Sequence, residues 1–320
     1  MSRKEYVSRI NKVIDYINRN MDAELNLENL SSVAKFSSYH FHRIFKGIMG
    51  ENLYDFIQRV RLEKAANMLL YQPDVTVTEI AFNCGFSSSS IFARAFQSHF
   101  GMSATAYRKS FSKNRKINSK DSKEQNEPDI YYKDYPITVG NFNKRGLLSS
   151  MNVRIKSFPT YHVAYYRHLA GYQKGIYNQE ITESFKKVEN WVASRNLFTS
   201  TTVGMGITYD NPDITSNEKC RYDTAYTIPD DITEASGEIG IQDIQGGTYA
   251  VCRIEVSKDK DIPYELSISE LGTVVDYLYG EWLPDSGFQL ADKPCLEIYY
   301  RADNNQEEMF IEYCLPITPY

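Results

Sequence analysis

Two arginines hold the same place in two copies of one pattern. The segments FHRIFKGIMG, Phe41 to Gly50, and FARAFQSHFG, Phe92 to Gly101, repeat Phe, Arg, Phe and Gly in register, so that Arg43 answers Arg94. A guanidinium is planar and presents N–H groups side by side, so it can donate a bidentate pair to O6 and N7 of guanine. Other side chains able to reach base edges or phosphate stand beside each arginine. Tyr39, His40, His42 and Lys46 accompany the first, and Ser89, Ser90 and Gln97 the second. An isolated arginine usually marks a solvated helix face, and the repetition argues against that reading here.

A second candidate is a lone carboxylate. In LEIYYRAD, strand alternation puts Glu297 and Tyr299 on one face and Leu296, Ile298 and Tyr300 on the other. Matching Tyr209 of GITYDNP to Tyr300 sets Glu297 opposite Gly206, so the acid occurs in only one of two similar halves. A carboxylate among aromatic rings in a dry cleft is poorly solvated and favours a bound cation, with each cation–π contact adding ~0.5 to 2 kcal/mol. Spacing alone leaves open a sheet edge in water.

Other chemistries lack their residues. The five cysteines are far apart and odd in number, which suggests neither a disulfide framework nor a CxxC metal site. The pairs His40/His42 and His162/His168 have no acidic or thiol partners at ligand spacing. There is no nucleophile elbow or phosphate loop. No catalytic residue, metal or cofactor is expected.

The repeated arginines need helices to carry them. Leu27, Leu30, Val33 and Ala34 follow Asn26 as a candidate N-cap, Lys35-Phe36-Ser37 supplies a turn, and Ser38 caps a helix burying Phe41, Ile44, Phe45 and Ile48. In the second copy Val77, Ile80 and Ala81 follow Thr76, the turn is Cys84-Gly85-Phe86, and the stripe is Ile91, Phe92, Ala95, Phe96 and Phe100. Gly50 and Gly101 end the two second helices. This is a helix-turn-helix written twice. Between the copies, Leu53 to Leu70 reads as one long amphipathic helix able to hold the units ~34 Å apart, the spacing of successive major grooves on one face of B-DNA.

The charge balance divides the same way. Residues 1–116 hold 17 Lys and Arg against 10 Asp and Glu, and residues 117–320 hold 19 against 31. A basic part facing nucleic acid joined to an acidic part of other purpose fits this asymmetry. The seam is SKNRKINSKDSKEQNEPD, Ser112 to Asp129, whose only apolar residue is Ile117. Such a stretch buries too little to offset chain entropy. The expected organisation is a DNA-binding domain at 1–111, a flexible linker and lead-in at 112–150, and an effector domain at 151–320. No apolar run is long enough to span a bilayer and the start lacks a secretory h-region, so a cytoplasmic protein without membrane contact is expected.

GFSSSSIFARAFQSHFGMSATAYR, Gly85 to Arg108, resembles the signature of the AraC/XylS family of transcription regulators, with Ala104 standing where that pattern has proline. The resemblance covers about Asn11 to Arg108. It implies base contacts from Tyr39, His42 and Arg43 in the first helix and from Ser90, Ile91 and Arg94 in the second.

The acidic half repeats a strand, strand, helix, strand, strand unit, so two pseudo-symmetric units with a ligand cleft at their seam are expected. YHVAYYRHLAGY, YDNPDITSNEKCRYD, GGTYAV and EWLPDSGFQLADKPCLEIY resemble blocks of the GyrI-like effector-binding domain. That resemblance implies a cleft for amphipathic, often cationic molecules with Glu297 at its floor and Tyr172, Tyr209, Trp282 and Tyr299 in its walls.

The fold class expected is therefore multidomain α and α+β. The function expected is a transcription regulator, not an enzyme, that reads double-stranded DNA, answers an amphipathic cationic effector and contacts RNA polymerase. Two alternatives accompany it. In one the GyrI-like half hydrolyses a small molecule, with Glu297 as general base. In the other it is a protein-interaction module.

Overall fold

The computed structural model describes residues 2–110, 151–169, 171, 179–256, 264–301 and 309–319. The chain divides into two compact units, Met1–Asp134 and Tyr135–Tyr320. The expected linker at 112–150 lies outside the described residues.

The first unit is all helix. Its elements are α1 (Arg3–Arg19), α2 (Leu27–Val33), α3 (Ser38–Met49), α4 (Leu53–Tyr71), α5 (Val77–Asn83), α6 (Ser89–Phe100) and α7 (104–110). α1 opens with a capping box in which Ser2 and Glu5 bond each other's backbone N–H, and it buries Ile10, Val13, Ile14 and Ile17. Asn26 caps α2 and Thr76 caps α5, as the sequence suggests. The N-cap of α3 is Ser37 rather than Ser38, which already has helical geometry. α7 starts without the usual proline because Ser103 Oγ accepts the Ala106 N–H at 3.2 Å.

The two helix-turn-helix units differ by one residue, and it lies in the turn. Four residues separate α2 from α3 and five separate α5 from α6. Gly50 and Gly101 close α3 and α6 in the left-handed conformation, with φ of 73° and 72°. Gly85 is left-handed too (φ 78°), and a Cβ there would overlap the Met21 carbonyl and the Arg61 guanidinium that bonds it at 3.0 Å. At the equivalent place the first unit tolerates Lys35 at φ 54°.

α4 corrects the expectation of one amphipathic face. Leu53, Phe56, Ile57 and Val60 are buried, and so are Leu62, Ala65, Ala66 and Leu69. At 100° per residue the second set lies about half a turn round from the first. The first half of the helix therefore packs toward α3, with the Phe45 and Phe56 rings 5.5 Å apart, and the second half toward α5, with Cys84 Sγ 3.8 Å from Met68 Sδ. Arg59 is buried along α4 between Glu51 (2.6 Å) and Glu63 (3.0 Å). Arg108 ties α7 back by donating to the carbonyls of Leu69 and Val75.

The second unit is an antiparallel sheet carrying helices. Its strands are β1 (Val153–Phe158), β2 (Tyr161–His168), β3 (Gly204–Thr208), β4 (Tyr222–Thr227), β5 (Ile239–Ile244), β6 (Gly247–Val256), β7 (Phe288–Leu290), β8 (Cys295–Arg301) and β9 (Met309–Pro319). They run in the order β1-β6-β9-β8-β3-β4-β2-β5, with β7 beside β9. α8 (Gln179–Ala193) packs on β2 and β4, and α9 (Tyr264–Tyr277) on β6 and β9. A π-helical turn at Leu278–Trp282, a helical turn at Leu283–Asp285 and the short β7 add to the second half what the strand, strand, helix, strand, strand expectation lacked.

One core cluster unites Val163, Met205, Ala225, Ile244, Tyr249, Leu296 and Cys314. β5 and β6 lie near opposite edges of the sheet yet both supply it, so the sheet curls around this core. No helix among the described residues is long and apolar enough to cross a membrane.

His162 gives this sheet a pH response. Its Nδ1 lies 2.6 Å from Asp243 Oδ1 and its Nε2 lies 3.0 Å from the Ile232 carbonyl. Burial opposes the charged imidazole, but the Asp243 bond and charge outweigh it and raise the pKa. A raised folded value means stabilisation that is complete below the unfolded value of ~6.5 and is lost as pH rises through the folded one. Proton NMR should place the His162 titration above the ordinary histidine range, and His162→Gln should remove that part of the stability profile. An ordinary His162 titration contradicts the assignment.

Candidate functional site

Each helix-turn-helix unit presents its arginine outward because the opposite face is occupied. In α3, Phe41 and Phe45 are fully buried, and in α6, Phe92 and Phe96 are buried. Edge-to-face and tilted ring contacts link Phe41 to Phe45 (5.8 Å) and Phe92 to Phe96 (5.4 Å). Arg43 and Arg94 lie two residues past the first phenylalanine of each pair, on the exposed side, together with Tyr39, His42, Lys46, Ser89, Ser90 and Gln97. Tyr39 is 70% exposed, a large area of aromatic surface for a monomeric helix to leave in water.

Ile91 corrects the apolar stripe expected for α6. It is 43% exposed, since one residue before Phe92 means 100° around the helix and three before Arg94 means the arginine's side. It therefore joins the outward set. Two outward residues have local partners. Gln97 Nε2 donates to the Gly101 carbonyl at 3.2 Å, closing α6, and His40 Nδ1 lies 3.1 Å from Ser37 Oγ. α4 is 19 residues long, about 28 Å at 1.5 Å per residue, and packs on both units.

In the sheet unit, Glu297 lies directly across from Gly206 in the β3–β8 pairing. It is 2% exposed. Tyr222 Oη donates to Glu297 Oε2 at 2.7 Å and Tyr299 Oη donates to the same oxygen at 2.8 Å, with the two phenol oxygens 3.2 Å apart. These bonds offset part of the hydration the carboxylate gives up on burial. Gly206 makes room for them, because a Cβ there would overlap the Tyr222 hydroxyl and stand 2.9 Å from Glu297 Oε2.

The surroundings are aromatic. The Phe185 ring of α8 meets Tyr299 edge-on at 5.2 Å and Tyr226 at 6.4 Å. Cys295, two residues before Glu297, lies 3.3 Å from Tyr279 Oη of the π-helical turn. Burial pushes the Cys295 thiol up, so it stays protonated. The same cause raises the phenol of Tyr313, which faces Glu297 from β9.

Of the five ligand-site residues expected, the structure brings Glu297 and Tyr299 together. Tyr209 packs with the core on the other face of the sheet, where its Oη donates to Asp223 at 2.8 Å beside Gln242. Strand parity is the reason, since Tyr209 alternates with Gly206 and Thr208. Trp282 stacks on Phe288 at 6.2 Å. Tyr172 lies outside the described residues. Tyr222 was missed, although it belongs to the RYD run of the sequence.

Residues 151–318 match the family of the GyrI-like small molecule binding domain, and residues 30–110 match a helix-turn-helix domain. The DNA gyrase inhibitor of Escherichia fergusonii is 31% identical over 157 residues, which cover 48% of this chain and 93% of that protein. The probable transcriptional regulator LumQ of Photobacterium leiognathi is 35% identical over 103 residues, covering 32% of this chain and 41% of that one. Among solved structures, the DNA-binding domain of AdpA in complex with a target DNA is 25% identical, with a TM-score of 0.33, over 34% of this chain and 97% of that one.

Proposed function

Because the chain belongs to the GyrI-like family and carries an AraC-type helix-turn-helix domain ahead of that module, we propose that it is a one-component, ligand-responsive transcription regulator. α3 and α6 enter successive major grooves of one duplex. Arg43 and Arg94 read guanines, Tyr39, His42, Ser90 and Ile91 contact neighbouring bases, and Lys46, Ser89 and Gln97 lie along the phosphates. A lipophilic cation binds on the helix-bearing face of the sheet against Glu297 and Tyr299, with Tyr222 holding the carboxylate and Tyr172 and Trp282 as further wall candidates. The domain limits proposed are 1–111, 112–150 and 151–320, in a cytoplasmic protein whose bound form also contacts RNA polymerase.

The observation that carries this reading is the paired exposure of Arg43 and Arg94 on helices whose opposite faces are buried. The strand order supports the two-repeat reading of the sheet unit. Exchanging β1 with β5, β2 with β6, β3 with β8 and β4 with β9 returns the same order reversed, with the pair Gly206 and Glu297 at its centre.

Titrating the purified chain with tetraphenylphosphonium, a lipophilic aromatic cation, tests the sensor role. The expected result is saturable binding, unchanged ligand on recovery and a shift in DNA affinity. Consumption of a neutral or cationic probe, with turnover lost in Glu297→Gln, would favour hydrolysis. The likeness to a DNA gyrase inhibitor over 93% of that protein favours a second reading, in which the sheet unit docks on another protein. Capture of purified gyrase by the chain, with no effect of the cation on DNA affinity, would support it instead.

A further inference from the structure

On the sheet face away from Glu297, two acidic residues hold similar positions in different company. Asp223 of β4 lies directly across from Arg167 of β2, whose Nε and Nη2 donate to its two oxygens at 2.8 and 2.6 Å. Tyr209 and the neutral amide of Gln242 complete that buried network. Glu312 of β9 likewise lies directly across from Arg253 of β6. Directly paired residues share a face, so this guanidinium has Glu312 within reach. It stands instead 3.6 Å from the centre of the Phe310 ring, and Lys156 Nζ of β1 takes Glu312 Oε1 at 2.5 Å. Glu312 is 5% exposed, its Oε2 is buried, and the Tyr300 hydroxyl of β8 lies against the same carboxylate.

Charge accounts for the difference. Gln242 is neutral, so Asp223 needs its arginine. Lys156 already balances Glu312, and a second cation brought against one carboxylate would be buried without compensation. Glu312 therefore has two candidate cations, of which one is engaged, beside the Tyr300 hydroxyl. Lys156 belongs to β1, the edge strand and the first described element after residues 111–150, through which the chain continues from the helical unit. Glu312 adjoins Tyr313, the cross-strand partner of Glu297.

We propose that Glu312 is a two-seat latch. Paired with Lys156, it ties β1 to the strand behind the ligand site. When the Glu297 face takes up its ligand, Arg253 replaces Lys156 at Glu312 and the β1 edge is released. The inference rests on the regulator reading and supplies its missing step, since a ligand regulates only by distinguishing two states.

Two variants of the full chain should move in opposite directions. In Lys156→Gln, Arg253 is expected to occupy Glu312, so that its Nε–Hε proton becomes protected from exchange by NMR. DNA affinity without ligand should then equal that of the wild type saturated with tetraphenylphosphonium. In Arg253→Ala the unliganded DNA affinity should stay at the wild-type value, while the ligand-induced change falls below about twofold. An unprotected Arg253 in Lys156→Gln, or a wild-type response in both variants, would overturn the latch. A wild-type chain that neither binds DNA nor answers the cation defeats the regulator reading, and the exchange measurement still decides whether Glu312 has two seats.

Discussion

Arg94→Ala should lower affinity for the cognate site by ~1 to 3 kcal/mol, or about 5- to 150-fold, and relax the preference at one or two base pairs. Arg43→Ala should do the same at base pairs roughly one helical turn away. The expectation follows from exposure and direction: each arginine lies on the outward face of a helix anchored by buried phenylalanines, so its loss removes contacts without opening the core. Binding isotherms on cognate and random DNA separate base reading from phosphate contact. A base-reading arginine costs affinity on the cognate site and little on random sequence. Equal losses on both, with a smaller salt dependence, would reduce the arginine to a phosphate contact.

Glu297→Gln should weaken tetraphenylphosphonium far more than a neutral molecule of similar shape, by calorimetry at constant ionic strength. The glutamine keeps the size and one acceptor for Tyr222 and Tyr299, so the change isolates the charge. A buried carboxylate faces a cation without bulk-water screening, and ten- to hundredfold selectivity is a reasonable scale for one such contact. Gly206→Ala approaches the same site from below. Its Cβ would overlap the Tyr222 hydroxyl, so it should reduce binding of cationic and neutral ligands alike. Identical losses for both ligand types in Glu297→Gln would remove the counter-charge role.

Some of this was readable from local pattern and some was not. The two arginines and the glycines that end their helices repeat within about fifty residues, so period and punctuation suffice to find them. The pairing of Glu297 with Gly206 was also reachable, because aligning the two halves sets the strands in the register that the β3–β8 ladder adopts. The same alignment places Tyr209 with Tyr300, on the face away from Glu297, and parity alone could have kept it out of the ligand wall. Tyr222 reaches Glu297 from two strands away in the sheet order, and no local spacing encodes that neighbourhood.

α4 misled for another reason. Its buried face changes sides midway, because it serves two cores in succession, so a single-period reading merges two stripes into one. α1, by contrast, carries a plain helical signal in Ile10, Val13, Ile14 and Ile17, ahead of the repeated motif.

A hydroxyl-radical footprint of the purified chain on its own promoter tests the central claim most directly. Two recognition helices in successive major grooves predict two protected blocks on one face of the duplex, about 10 base pairs apart centre to centre. The block matching Arg94 should fade in Arg94→Ala and the other in Arg43→Ala. A single block that both variants weaken equally, or no protected sequence at all, would contradict the account.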